Sequence, residues 1–161
     1  MSMTVEFYSA DPTALVALFE AYPATDDEDE DEAFFEKLKA YPVADFSLRL
    51  YLPDDLDSLC QLLHKQDPLF PLVFGDVLLE QIWNDAPEMS ESLTLISHQF
   101  ADALAALSER QIETVAREWI ATFPDQESLV QAPGYRAVYQ LHEVARDAVM
   151  REQSLIFHFL G

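Results

Sequence analysis

The sequence predicts a helix-rich α+β fold with a small sheet, and two periodicities carry this prediction. Apolar residues recur every three or four positions in several segments, as on the buried face of a helix. Two short segments show patterns that are typical of strands instead. Met3–Tyr8 alternates between apolar and polar residues, and Leu155–Leu160 is a mainly apolar run. Because 161 residues, half of them apolar, suffice for one core, we predict a single domain over residues 1–161.

The first elements are a strand and two helices. In Met3–Tyr8 every second side chain is apolar, so we expect one face of this strand to be buried. Asp11 followed by proline predicts the start of a helix that ends before Pro23. Thr25 and Glu28 form a potential capping box for a second helix, which the apolar spacing extends to Tyr41.

The middle of the chain is less regular. The segment Leu48–Leu52 alternates, which predicts a strand or the approach to a helix that begins at Pro53 and carries an apolar face to His64. The apolar segment Asp67–Gly75 contains two prolines, and we interpret it as a buried irregular connection or a short helix. Val77–Trp83 fits a short helix or an extended segment, and Ser92–Ile96 fits a strand.

The last third predicts three helices and a closing strand. Ser97 caps one helix, and Ser108 with Gln111 forms a capping box for the next. A long helix is predicted over 135–153. Its inward residues are Val138, Leu141, Ala145, Ala148 and Val149. The apolar strand Leu155–Leu160 must pair with another strand to satisfy its backbone groups, and Met3–Tyr8 is a candidate partner.

The charge is strongly negative and uneven. The net charge is −21, and residues 1–100 hold 21 acids against 4 bases. Such a field repels nucleic acid and anionic lipid, so we expect neither as a partner. It attracts basic proteins and divalent cations, although acidity of this kind also serves to keep a small protein in solution.

The cysteine and glycine content further limits the classes of protein to which this chain can belong. Cys60 is the only cysteine, so no disulfide forms within the chain, and the sequence shows neither a secretion signal nor an apolar run long enough for a membrane span. We therefore expect a cytoplasmic protein. Only three glycines occur, which excludes glycine-rich phosphate-binding loops, and we expect no cofactor.

Seven consecutive acids, Asp26–Glu32, are the most unusual feature. A calcium site needs oxygens that converge on one point, usually with a glycine in the loop, and this run has none. We favour a solvated, partly frayed helix start within an acidic, mobile segment at 24–32, with the firm helix beginning near Asp31. The alternative is a surface that imitates phosphate toward a basic partner. The candidate partner-binding residues are then Asp26, Asp27, Glu28, Asp29, Glu30, Asp31, Glu32, Asp54, Asp55 and Asp57.

Candidates for chemistry are few. Cys60 and His64 share a helix face, but their leucine neighbours favour a core position over a metal site or a nucleophilic pair. Tyr135, Tyr139 and His142 share a face of the long helix and could line a small-ligand pocket or simply pack. We find no serine-hydrolase or other catalytic motif, which argues against an enzyme and leaves the question open.

Three segments resemble the YfbM-like family of small bacterial cytosolic proteins of unknown function. Asp55–His64 (DLDSLCQLLH) resembles its DLDKxWxxLH-type helix, Leu93–Ala106 its strand-to-helix unit, and Ser154–Gly161 its closing strand. Cys60 replaces the family's tryptophan, the glycine-containing lead-in is absent from 76–91, and the run 26–32 has no counterpart. The resemblance implies an α+β fold with the terminal strand in a small sheet, and it supplies no active site.

Three hypotheses about function follow. The first is an interaction domain for a basic protein, of which an immunity or antitoxin protein is one form, with Phe34 and Phe35 beside the acidic run. The second is a small-ligand-binding protein or enzyme with a pocket along the long helix. The third is a structural role, and the oligomeric state is left open.

Overall fold

A computed structural model describes residues 3–22, 28–47, 53–123 and 132–161. Within these residues an antiparallel five-stranded sheet is covered by helices on both faces, which confirms the α+β fold. A short 3₁₀ turn at Phe74–Val77 precedes the third strand. The elements are β1 (Thr4–Ala10), α1 (Pro12–Ala21), α2 (Glu28–Leu38), β2 (Val43–Asp45), α3 (Pro53–Gln66), β3 (Leu78–Asn84), β4 (Glu91–Ile96), α4 (His98–Ala106), α5 (Glu109–Ala121), α6 (Pro133–Met150) and β5 (Ser154–Leu160).

The C-terminal strand lies at the centre of the sheet. The strand order is β2-β1-β5-β4-β3, and β5 pairs antiparallel with β1 from Thr4 opposite Leu160 to Ala10 opposite Ser154. The predicted pairing of the two terminal strands is therefore confirmed. On its other edge β5 pairs with β4, so the backbone groups of this apolar strand find partners on both sides.

One face of the sheet carries the larger core. Helix α6 packs directly on β1, β2 and β5, with α4 and α5 against α6, and α3 against α5. The strands contribute Phe7 and Phe157 to this core, with their ring centroids 5.2 Å apart, and Phe46 meets Phe7 edge-on. Trp119 of α5 is fully buried here. These large aromatic contacts fix how the helical layer sits on the sheet.

The other face carries a smaller core under α1 and α2. Leu15 and Phe19 of α1 and Phe34 of α2 pack with Tyr8 and Ile156 from the strands. Phe19 and Phe34 meet edge-on with centroids 5.3 Å apart. The sheet thus separates two apolar clusters, as its alternating side chains require.

Helix α2 differs from its predicted bounds. It begins at Glu28 rather than near Asp31, and it ends at Leu38 rather than Tyr41. Thr25, the predicted cap, lies outside the described residues. The four acids of its first turn lie where the helix dipole favours negative charge, which offsets their mutual repulsion.

Helices α4, α5 and α6 follow the sequence more closely. The Ser108–Gln111 capping box is complete, and the Ser97 hydroxyl accepts a hydrogen bond from the backbone N–H of Phe100. Helix α6 ends at Met150 instead of residue 153, because Glu152 takes a left-handed conformation with φ 53° that turns the chain into β5. Val149, predicted to face inward, is exposed as a result.

The sequence pattern predicts one strand of the sheet ambiguously and does not predict another. Val77–Trp83 fits a helix or an extended segment by sequence, and it corresponds to strand β3. Strand β2 was not predicted, because its three residues are defined only by pairing with β1, where Ala44 opposes Phe7. The predicted strand Leu48–Leu52 lies outside the described residues.

Trp119→Phe is expected to lower the free energy of unfolding by about 2 kcal/mol. The indole Nε1–H of Trp119 donates to the backbone oxygen of Asp55 at 3.1 Å and to Ser58 Oγ at 3.0 Å, and the ring is fully buried, so phenylalanine removes both hydrogen bonds and leaves part of the space unfilled. Urea unfolding followed by circular dichroism measures the change. Arg117→Lys, on the exposed side of α5, serves as the control, and equal midpoints for the two variants would contradict this account.

Candidate functional site

The structure does not gather the predicted acidic residues into one site. Asp26 and Asp27 lie outside the described residues, and Glu28 to Glu32 form the start of α2. Asp54, Asp55 and Asp57 lie on α3. Because α2 and α3 pack on opposite faces of the sheet, these two acidic groups cannot contact the same small area of a partner.

The acids of α2 are mostly solvated. Glu28, Asp29, Glu30 and Glu32 are exposed, as the predicted solvated helix start requires. Asp31 is only partly exposed, and its side chain accepts a hydrogen bond from the hydroxyl of Tyr22, the residue that follows α1. This bond raises the pKa of Tyr22 to about 12. Asp31 therefore holds α2 against α1.

The acids of α3 have different surroundings. Asp54 is exposed, and Asp57 is half-buried with its Oδ1 accepting the backbone N–H of Phe74 at 2.8 Å. The backbone oxygen of Asp55 accepts from Trp119. Asp57 thus fastens the 3₁₀ turn to α3 while its carboxylate remains at the surface.

The segment Asp67–Gly75 was predicted to be buried, but only some of its side chains are buried. Phe70 and Phe74 point into the core. Between and beside them, three large apolar side chains face solvent with exposed fractions of 62%, 52% and 47%; we call this set, Leu69, Leu72 and Val73, the apolar ledge. The prediction of a buried connection was wrong for the ledge, because the chain between the two inward phenylalanines is too short to bury every side chain.

The apolar ledge joins two open cavities. One, of about 520 Å³, lies between the ledge and the starts of α4 and β3, with Asp76 and His64 in its wall. The other, of about 430 Å³, lies between α3, the 3₁₀ turn and the sheet. Val73 lines both cavities, so they adjoin at this side chain, and we call the two cavities together the groove.

The groove is apolar at its base and acidic at its rim. The second cavity is walled by Phe74, Phe157 and Phe159, with Asp54 and Asp57 at its edge. No lysine or arginine of the described residues lines either cavity. A groove of this composition complements an apolar segment that carries positive charge.

The three residues of α6 that could line a pocket or simply pack are engaged in contacts within the protein. The hydroxyls of Tyr135 and Tyr139 lie 3.3 Å apart, and the ring of His142 is buried with Nε2 donating to the Leu107 carbonyl at 2.9 Å. Burial lowers the pKa of His142, which keeps its ring neutral. Neither cavity of the groove is lined by these residues.

Cys60 occupies the core position that its neighbours predict. It is buried, and burial raises the pKa of its thiol to about 12. The Nδ1 of His64 donates to the Phe70 carbonyl at 2.6 Å, so this ring is engaged with the backbone. Among the described residues no group of three His, Cys, Asp or Glu is arranged to hold a metal ion.

A buried charged cluster lies on the opposite face of the sheet. His158 of β5 donates from Nδ1 to Glu6 Oε2 at 2.9 Å and from Nε2 to Glu91 Oε1 at 2.7 Å. Ionised carboxylates only accept hydrogen bonds, so both ring nitrogens carry protons and the ring is an imidazolium. Burial of the ring lowers its pKa, but the two carboxylates outweigh burial and raise the pKa above 6.5.

Aromatic side chains surround the buried ring of this cluster. The ring of Phe19 lies edge-on to His158 with centroids 5.0 Å apart, and the Tyr8 hydroxyl donates to the same Glu6 oxygen at 2.7 Å. Burial, followed by the charge of Glu6, raises the pKa of Tyr8 far above its usual range. Through these hydrogen bonds the cluster links the strands β1, β5 and β4.

Comparison with protein-family models, curated proteins and solved structures finds no significant match. Membership of the YfbM-like family therefore stays a prediction. No helix within the described parts of the chain combines the length and apolarity needed to cross a membrane.

The sequence missed both the ledge and the buried cluster. The ledge lies in a segment whose composition resembles a core, and only the two prolines indicated an irregular path. The cluster joins residues 152 and 67 positions apart. Its one visible sign was that Glu6 and His158 occupy apolar strands that were predicted to pair.

His158→Gln is expected to lower the free energy of unfolding by about 3 kcal/mol near neutral pH, because Glu6 and Glu91 then lack their shared cation. Since folding raises the pKa of His158, its contribution is complete below pH 6.5 and is lost as the pH rises through the folded-state value. Urea midpoints from about pH 6 to 9 measure this loss.

The pH dependence separates the cluster from an ordinary packing defect. We expect the difference in stability between the wild type and His158→Gln to shrink with rising pH. His142→Gln, which removes a neutral buried ring, provides the comparison. A difference between wild type and His158→Gln that stays constant across the range would refute the imidazolium.

Cys60 is expected to react with Ellman's reagent at least about a hundredfold more slowly in the native protein than in urea, because its thiol is buried and protonated. Absorbance at increasing urea concentration follows the reaction. Rapid native labelling of the thiol would support the nucleophilic alternative.

Proposed function

We propose that this protein is a cytoplasmic interaction domain that binds a basic segment of another protein in the groove beside the apolar ledge. The observation that carries the proposal is the exposure of Leu69, Leu72 and Val73 at the junction of two cavities. Contiguous exposed apolar side chains bordered by polar ones are typical of interaction sites.

Charge selects the kind of partner. Asp54, Asp57 and Asp76 border the groove, and the net charge of −21 gives the whole molecule a field that draws basic proteins toward it. The acids of α2 lie on the far side of the sheet, so their contribution is long-range steering rather than contact.

The small-ligand alternative has less support. Tyr135 and Tyr139 pair with each other, and His142 is bound to a backbone carbonyl. Each of these three side chains thus already has a hydrogen-bond partner within the protein. An immunity or antitoxin protein remains one concrete form of the interaction domain, because such proteins cover basic surfaces of their toxins.

Photo-crosslinking tests this proposal. We expect p-benzoylphenylalanine in place of Leu72 to capture a specific protein in cells that produce this chain, and peptide mapping to place the cross-link in a segment rich in lysine or arginine. The same group in place of Met150, which is 80% exposed elsewhere on the surface, is the matched control. Capture should weaken as salt rises in extracts.

Two results would overturn the proposal. One is the same set of captured proteins from both positions, and the other is a cross-link that maps to acidic or neutral segments. Introducing Leu69→Ser and Val73→Ser together is expected to reduce capture from position 72 about tenfold, because these changes remove neighbouring contacts while leaving the inward Phe70 and Phe74 in place.

A further inference from the structure

We infer that the cavity between α3 and the sheet receives an arginine side chain of the partner. This inference rests on the proposed function and specifies the chemistry by which the same groove recognises its occupant. The cavity, at about 430 Å³, is open to solvent and large enough for a guanidinium group and its methylene stem.

Aromatic rings form one wall of the cavity. Phe157 and Phe159 project from the same face of β5, with ring planes 23° apart and centroids separated by 6.3 Å. Phe74 lies at 74° to Phe157 with centroids 5.0 Å apart. Phe74 and Phe157 are each only 5% exposed, so the half-buried Phe159 is the ring that a cation in the cavity can contact most fully, and a planar guanidinium can also stack on it.

Two carboxylates also line the cavity. Asp54 and Asp57 are three residues apart on α3 and therefore lie on one side of the helix. The Asp57 carboxylate is oriented by the N–H of Phe74, which uses only Oδ1. No cation among the described residues pairs with either acid.

The lining favours arginine over lysine. A guanidinium offers five N–H donors in a plane, so it can meet carboxylate oxygens at its edge while its face contacts phenylalanine. Thr94, Ser92 and Gln81 add side-chain oxygens that can accept further donors. The ammonium group of lysine has three donors, is not planar and so cannot stack on a ring, and is more strongly hydrated than a guanidinium.

Titration of the ¹⁵N-labelled protein with N-acetyl-arginine amide tests the cavity directly. We expect saturable shifts of the backbone amides of Asp57, Phe74 and Thr94. N-acetyl-lysine amide should bind more weakly. N-acetyl-citrulline amide, which is nearly the same shape but uncharged, should bind at least about tenfold more weakly than the arginine compound.

The test variant combines Asp54→Asn and Asp57→Asn, and the control variant carries Asp102→Asn alone. The double change is expected to weaken arginine-amide binding about tenfold while preserving the fold, since asparagine at position 57 still accepts the N–H of Phe74. Asp102→Asn removes an exposed acid of α4 outside the cavity and should leave binding unchanged.

The inference is overturned if citrulline amide binds as well as arginine amide, if the Asp54/Asp57 double variant binds normally, or if the shifts fall outside the cavity. None of these measurements uses the partner. A basic partner cross-linked at position 72 without arginine-amide binding would contradict this inference alone, whereas arginine-amide binding without such a partner would contradict the proposed function.

Discussion

The hydrogen bonds of His158 to Glu6 and Glu91 are the constraint on which the sheet depends. They join the three adjacent strands β1, β5 and β4 through one imidazolium, and each ring nitrogen bonds a carboxylate of a different strand. A shift of β5 by one residue would turn His158 into the larger core and leave both carboxylates without their cation. The cluster therefore specifies one register among those that apolar contacts alone would allow.

The same arrangement keeps the two apolar layers distinct. Tyr8 and Phe19 surround the imidazolium on the face covered by α1 and α2, while Phe157 and Phe159, the neighbours of His158 in sequence, face the other side. Placing the charged side chain among aromatic edges limits contact with water, which strengthens its interaction with the carboxylates. On the opposite face of β5, Phe157 and Phe159 pack in the larger core and line the groove.

The sequence predicted those features that local patterns determine. The pairing of the terminal strands followed from the apolar content of Leu155–Leu160, and the start of α5 followed from Ser108 and Gln111. Strand β2 could not be predicted, because three residues are too few for a periodicity and their extended form depends on distant partners, namely β1 and Gln140 of α6. The partners of His158 were equally invisible, since they are set by sheet order and register rather than by spacing along the chain.

The apolar ledge was missed for a different reason, which also bears on the function that we propose for it. Composition alone cannot say which apolar residues of a short segment are inward, and here Phe70 and Phe74 take the buried positions. Two side chains of α3 then fasten the segment: His64 donates to the carbonyl of Phe70, and Asp57 accepts from the N–H of Phe74. The ledge is thus displayed from a backbone held at two points, so a partner that binds it loses little free energy in ordering the loop. These two hydrogen bonds also account for the exposure of Leu72. A segment without such anchors would be free to turn its apolar side chains away from water.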